Sequence, residues 1–100
     1  YKGALKDFTV YLSYAQETGH KYDEGAAYCW IGNAHYRLGN YQDALKYHHK
    51  HLEIALQLGD KGGEGRAYLN IGAAHSALGN NQDALTNLQN SLSRSFKGGT

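Results

Sequence analysis

The sequence repeats itself with a period of 40 residues, and this repetition constrains the fold more than any other feature. About two in five residues are identical to the residue 40 positions later, where chance would give about one in fifteen. The clearest copies are residues 24–45 and 64–85, and residues 1–21 match a part of residues 41–61. Such a chain folds as stacked copies of one supersecondary unit. We therefore predict about two and a half structural repeats.

Within each repeat, apolar and small residues recur at spacings of three and four, as in Leu45, His48, Leu52 and Ala55. This spacing indicates helices and gives no signal for a strand. Leu-Gly-Asn at residues 38–40 and 78–80 predicts tight turns, because glycine accepts the left-handed conformation that closes a helix. Each repeat is therefore a pair of helices. We predict five helices, at residues 2–18, 21–38, 41–58, 61–78 and 81–96.

The junction between the third and fourth predicted helices contains two capping residues and several glycines. Gly59 is predicted to cap the third helix, and Asp60 to accept amide hydrogen bonds at the start of the fourth. Gly62, Gly63 and Gly65 follow, and each costs up to about 1 kcal/mol relative to alanine inside a helix. We expect the start of this helix to fray.

The composition excludes several classes of protein. With 41% hydrophobic and 19% charged residues, the chain matches neither a membrane-spanning nor a disordered protein. Ten basic and nine acidic residues give a formal charge of +1, without a basic run that would follow a phosphate backbone. Cys29 is the only cysteine, which is typical of a reducing compartment. We expect a cytoplasmic protein with a protein partner and with neither a nucleic-acid nor a membrane partner.

One pattern of large, small and aromatic positions recurs in both hairpins. Its members are Tyr28, Ile31, Gly32, His35, Gly39, Asn40, Tyr41 and Ala44, and then Tyr68, Ile71, Gly72, His75, Gly79, Asn80 and Ala84. The pattern resembles the tetratricopeptide repeat (TPR) family over nearly the whole chain. The resemblance implies an all-α fold, in which antiparallel helical hairpins stack as a fragment of a right-handed superhelix. It divides the chain into the second helix of a truncated repeat (1–20), a repeat (21–60), a truncated repeat (61–97) and a tail (98–100).

The chain also departs from the usual TPR pattern. Tyr11, His51 and Ser91 stand where the family keeps a small residue, and the closing proline is missing. Repeats of 40 residues with Leu-Gly-Asn, and with Gly-Asp before Gly-Glu, resemble those of the Pins/LGN spindle-orientation adaptors. Gly32 and Gly72 are expected to let the helices approach closely, because a larger side chain would push them apart.

The first helix of each hairpin is predicted to line one curved surface, since stacked repeats of this type expose that helix. Helical spacing directs one set of side chains away from the packing side: Trp30, Asn33, Tyr36 and Arg37 on the second helix, and Arg66 and Asn70 on the fourth. This set contains aromatics, carboxamides and two arginines but no acid, which is typical of a recognition surface rather than a solvated one. These six residues are our predicted partner-binding groove.

The resemblance implies a protein-interaction scaffold or adaptor with a role in signalling, and in the resembling adaptors this face holds an extended partner segment. Arg37 and Arg66 would favour an acidic segment. A TPR clamp for a terminal carboxylate needs a lysine where this chain has Cys29 or Leu69, so a chaperone-tail binder is not expected. The alternative is a structural spacer within a longer superhelix whose partners bind elsewhere.

Other residue clusters favour no chemistry. His48 and His51 lie one helical turn apart beside His49, but no carboxylate or cysteine completes a metal site at matching spacing. His48 is expected to pack, His49 to be solvated, and His35 and His75 to lie in the core. Cys29 has no base at a usable spacing, and no glycine loop has the ending that binds phosphate. We expect no enzyme, no metal and no cofactor.

The last predicted helix carries an apolar stripe of Leu85, Leu88, Leu92 and Phe96 among polar, nearly uncharged residues. In a solenoid, the next repeat would cover such a stripe. We therefore expect that Leu92 and Phe96 promote end-to-end association of this chain.

Overall fold

The computed structural model describes the backbone of residues 2–99 and the side chains of residues 2–94. Five helices follow one another, and the described backbone contains no strand: α1 (Lys2–Thr18), α2 (Lys21–Arg37), α3 (Tyr41–Leu58), α4 (Lys61–Ala77) and α5 (Asn81–Gly99). The predicted all-α fold with five helices is confirmed. The ends of α2 and α4 lie one residue earlier than predicted. The last helix extends past residue 96, so residues 98 and 99 of the predicted tail are helical.

Two tight turns close the hairpins α2/α3 and α4/α5. Gly39 and Gly79 each have a φ of +82°, the left-handed conformation that the sequence predicted. The next residue in each turn donates its backbone N–H to the helix that has just ended, from Asn40 to His35 O and from Asn80 to His75 O, both at 2.8 Å. The turns therefore reverse the chain without leaving these carbonyl groups unpaired.

The helices pack in chain order, each against the one before it, and α2 and α4 also touch. The molecule measures 34 × 32 × 16 Å along its principal axes, so it is a thin array of helical hairpins. Small residues fill the contacts between helices, and Ala15, Ala27, Ala44 and Ala67 are completely buried. None of the helices, over the described residues, has both the length and the apolar character needed to cross a bilayer.

Two glycines allow each first helix to lie close to the second helix of its hairpin. A Cβ atom on Gly32 would lie 2.7 Å from His48 Nε2, and one on Gly72 would lie 3.2 Å from the backbone oxygen of Ala84. Neither position leaves comfortable space for a methyl group. The predicted close approach at these two glycines is confirmed.

The start of α4 is helical from Lys61 onward, and its expected fraying stays a prediction. The Asp60 carboxylate accepts a hydrogen bond of 3.0 Å from the Gly63 amide, which confirms the predicted N-cap. Gly63 and Gly65 are buried, and a Cβ on Gly63 would lie 3.3 Å from Ala55 Cβ. The glycines cost helix propensity, but they let the first turn of α4 pack directly on the end of α3.

The histidines divide into three environments. His48 and His51 on α3 are buried, whereas His49 is exposed, as expected for His48 and His49. His35 and His75 are only partly buried, so their predicted place in the core is wrong. Both lie near the end of a first helix, where Nδ1 of each ring is 3.3 and 3.2 Å from the side-chain nitrogen of the turn asparagine, Asn40 and Asn80 respectively.

Candidate functional site

Two open cavities lie along α2 and α4, and we call them together the groove. The first, of about 590 Å³, lies among the N-terminal halves of α2 and α4 and the end of α3. The second, of about 660 Å³, lies toward the C-terminal end of α2 and reaches α1. All six predicted groove residues line these cavities. Trp30, Asn33 and Asn70 line both, Arg66 lines the first, and Tyr36 and Arg37 line the second.

A cysteine joins the two carboxamides of the groove. The side-chain nitrogens of Asn33 and Asn70 lie 3.9 and 3.8 Å from Cys29 Sγ, so the thiol sulfur accepts from α2 and from α4. Burial raises the pKa of Cys29, and Arg66 and the Asn33 contact oppose this shift. The thiol is therefore protonated and weakly nucleophilic at neutral pH. Each carboxamide keeps its oxygen and a second N–H for another partner.

The two arginines of the groove carry charges that no described carboxylate balances. Arg37 and Arg66 are exposed, and neither lies within 4.0 Å of a described acid oxygen, whereas Lys21, Lys61 and Arg94 all do. The predicted set of first-helix side chains contains no acid, but Asp60 of the α3–α4 junction also lines the first cavity. Its Oδ1 atom already accepts from the Gly63 amide.

The aromatic residues of the groove have a packed side and an open side. Trp30 is 53% exposed, and its ring stacks on Phe8 of α1 with centroids 5.8 Å apart. Tyr36 is half-buried and meets the ring of Tyr41 edge-on at 5.2 Å. Both rings are therefore fixed by neighbours while still lining a cavity, which lowers the entropy cost of using them in recognition.

This arrangement of stacked hairpins can be compared with known proteins. The sequence profile of the tetratricopeptide repeat matches residues 23–95. The chain belongs to the tetratricopeptide repeat family. The crystal structure of the TPR domain of Arabidopsis FLU is similar, with a TM-score of 0.89 and 25% sequence identity over 96% of this chain and 81% of that chain. A comparison with curated protein sequences found no match.

TPR repeats generally serve as scaffolds for protein–protein interaction, and they are typically non-catalytic. The geometry of the TPR groove agrees with this role, because it offers aromatic area, carboxamides and guanidinium groups on one face. Within the part of the chain that the structure describes, no three His, Cys, Asp or Glu side chains are grouped as metal ligands would be.

Sequence reasoning missed several residues that line the TPR groove. Ala4 and Phe8 come from α1, Asp60 from the α3–α4 junction and His51 from α3, whereas the prediction used only the first helices of the hairpins. The repeat alignment contained one signal for the contribution of Phe8. Phe8 is aligned with His48 by the 40-residue offset, and both residues line the second cavity.

Two buried imidazoles lie beneath the TPR groove. His51 lines the first cavity and His48 the second, and Nδ1 of each ring is buried without a hydrogen-bond partner among residues 2–94. Burial lowers the pKa of His48 to about 4, with smaller contributions from His51 and His49. Burial likewise lowers the pKa of His51, and Arg66 contributes. Both rings are therefore uncharged at neutral pH, because burial disfavours the charged form of an imidazole.

Proposed function

We propose that the TPR groove binds an extended segment of a partner protein. One observation supports this proposal above the others: a half-exposed tryptophan, two carboxamides and two arginines, which have no partner among the described carboxylates, line the same pair of cavities. A purely solvated surface does not require aromatic, carboxamide and guanidinium groups to lie together on one face. Tryptophan and arginine are also the residue types that most often dominate binding energy.

Each group has a distinct part in this proposal. The free oxygen and N–H of Asn33 and Asn70 suit the backbone N–H and C=O groups of an extended segment. Trp30 supplies apolar contact area. Arg66 and Arg37 favour acidic side chains, because a guanidinium binds a carboxylate through two parallel hydrogen bonds.

A pull-down with the purified chain tests the proposal. We expect the double variant Arg66→Ala, Asn70→Ala to lose its partners, while the matched variant Gln42→Ala, Lys46→Ala, which removes an amide and a charge from exposed positions on α3, keeps them. Circular dichroism of both variants verifies that the helices are intact. If the groove variant keeps every partner of the parent chain, the groove is not the binding site, and the structural spacer becomes the better hypothesis.

We further propose that these repeats are of the Pins/LGN type and act in the cytoplasm. The 40-residue offset, the Leu-Gly-Asn turns and the absence of a second cysteine support this assignment. The sequence of the gene that encodes this chain tests it, since further 40-residue repeats with the same turns are expected. Repeats of 34 residues around this segment would contradict it.

Self-association through α5 is part of the same proposal. Leu85, Leu88 and Leu92 are 52%, 37% and 59% exposed on one stripe of this helix. Phe96, the fourth member of the predicted stripe, lies outside the described side chains. Sedimentation velocity at increasing concentration is expected to show dimers of the parent chain and only monomers of Leu92→Ser. Monomers in both samples would contradict the proposal.

A further inference from the structure

The groove has one arginine at each end. Arg66 is the sixth residue of α4, whereas Arg37 is the last of the 17 residues of α2. Helices α2 and α4 have equal lengths and equivalent places in successive hairpins. The two arginines are therefore eleven helical positions apart, which corresponds to about 16 Å along the helix axes. Trp30, Asn33 and Asn70 lie between them, where the two cavities meet.

The arginines also differ in the wall to which they belong. Arg37 lies on α2 and lines only the second cavity, while Arg66 lies on α4 and lines only the first. Asp60 is the only acid among the residues that line either cavity, and its Oδ1 atom accepts the amide hydrogen of Gly63. The groove thus presents two separate guanidinium groups, on opposite walls and at opposite ends.

From this placement we infer that the groove recognises a segment with two carboxylate side chains about five residues apart, on either side of a large apolar residue. The inference rests on the proposed function and specifies its ligand. An extended chain rises about 3.3 Å per residue, so five residues span about 16 Å. Alternate side chains of such a chain point to opposite sides, and an odd separation therefore directs the two carboxylates to opposite walls. The apolar residue between them reaches Trp30.

A random peptide library displayed on phage tests this register without knowledge of the natural partner. The library is selected on the whole chain and, in parallel, on Arg37→Gln, on Arg66→Gln and on Lys46→Gln, which removes a charge from the outer surface of α3. With the parent chain and the Lys46 variant, we expect enrichment of two acids about five residues apart with an apolar residue between. Peptides selected on either arginine variant are expected to lack enrichment of one of the two acids. The acid that is lost is expected to differ between Arg37→Gln and Arg66→Gln.

Affinities of the best selected peptide then measure the coupling. Replacing either acid of this peptide by its amide is expected to weaken binding to the parent chain about tenfold, because a charge-assisted pair is lost. Binding to the variant that lacks the matching arginine is expected to be insensitive to that replacement, since the interaction is already absent. Moving one acid two residues closer to the other is expected to cost about the same tenfold as its removal.

Two different failures are distinguishable. Selected peptides that bind the groove with a single acid, with acids at no fixed spacing or with none would overturn the register and leave the proposed function standing. Binding that survives the double variant Arg66→Ala, Asn70→Ala, or no enrichment on the parent chain, would contradict the proposed function as well.

Discussion

Gly25 on α2 lies against the side chains of Ile54 and His51 on α3, with a Cβ position 3.0 Å from Ile54 Cγ2 and 3.5 Å from His51 Cδ2. At the equivalent place in the second hairpin, the Ser91 hydroxyl donates a 2.9 Å hydrogen bond to the backbone oxygen of Gly65. The same helix pair is therefore filled by an imidazole and an aliphatic side chain in one hairpin, and by a polar contact in the other.

A second difference lies next to it. Glu64 is 1% exposed, and its carboxylate accepts from Arg94 Nε at 2.9 Å, with Lys61 Nζ at 3.5 Å from the other oxygen. In the first hairpin, the residue equivalent to Arg94 is Ile54, and the more exposed Glu24 pairs with Lys21. The repeat thus keeps the residues that define the backbone and varies those that fill the space between the helices.

The largest effect is expected where the second hairpin depends on charge. Arg94→Ile copies the first hairpin and removes the closer of the two cations beside the buried Glu64. We expect Tm to fall by about 10 °C, because Lys61 alone then compensates a buried carboxylate, and breaking a buried ion pair is strongly destabilising. Thermal unfolding followed by circular dichroism measures this change.

The double variant Arg94→Ile, Glu64→Gln is the control for that prediction. It removes the carboxylate together with its partner, so it is expected to recover part of the lost Tm. If the double variant is less stable than Arg94→Ile alone, the carboxylate does not cause the loss. The loss of Tm would then come from the contact between the Arg94 side chain and the Tyr68 ring, not from the ion pair.

The helices and turns were predictable because their signals are local. The left-handed glycine at Gly39 and the N-cap at Asp60 each depend on residues within one helical turn, and the structure has both. The ion pair between Glu64 and Arg94 joins residues 30 positions apart. The repeat pattern does not predict this ion pair, because the equivalent positions 14, 54 and 94 hold three different residue types.

The candidate site was predictable to the same extent. Helical periodicity identified the side chains of α2 and α4 that line the groove, since these depend only on each helix's own geometry. The contributions of Phe8 and Asp60 depend on how α1 and the α3–α4 junction pack against those helices. These positions are set by packing between helices, which cannot be deduced from the local pattern of a single sequence.

The next largest effect is the pH dependence of stability, to which the first hairpin contributes through His48. The pKa of His48 is lowered to about 4 in the folded chain, whereas an unfolded histidine titrates near 6.5. The unfolded state therefore binds more protons between these values, and stability falls as the pH decreases through this window. His48 alone is expected to cost about 2 kcal/mol between pH 7.5 and pH 5. The lowered pKa values of His49 and His51 act in the same direction.

Urea unfolding of His48→Leu at both pH values measures this contribution. The substitution installs the residue of the second hairpin, Leu88, and removes the Nδ1 atom that has no partner. The variant is expected to lose clearly less stability on acidification than the parent chain. An unchanged pH dependence in His48→Leu would show that this ring is not the sensitive group.

A smaller effect concerns the glycines that bring the helices together. An added methyl on Gly32 meets three atoms of the His48 ring at 2.7 to 2.9 Å, whereas one on Gly72 meets Ala84 O and the partly exposed Leu88 at 3.2 Å or more. After the gain in helix propensity, we expect Gly32→Ala to cost about 1 to 2 kcal/mol and Gly72→Ala less than about 1 kcal/mol. Urea unfolding of the two variants compares them.

The cause of that difference can be checked with the ring itself. If the His48 ring is responsible, Gly32→Ala is expected to cost less in a His48→Ala background, because the methyl then enters vacated space. Equal costs for Gly32→Ala and Gly72→Ala in the parent chain would mean that the two hairpin interiors tolerate volume equally, contrary to their different contents.

The smallest effect is expected where the hairpins are alike. The side-chain nitrogens of Asn40 and Asn80 donate to Nδ1 of His35 and His75, at 3.3 and 3.2 Å, in equivalent and exposed turns. Asn40→Ala and Asn80→Ala are each expected to cost about 0.5 to 1 kcal/mol in urea unfolding, because each removes one solvent-accessible hydrogen bond. The two losses should be equal within error. A clear inequality would mean that the strength of the turn contact depends on the side chains inside the hairpin. The backbone shared by the two hairpins would then be affected by what packs between the helices.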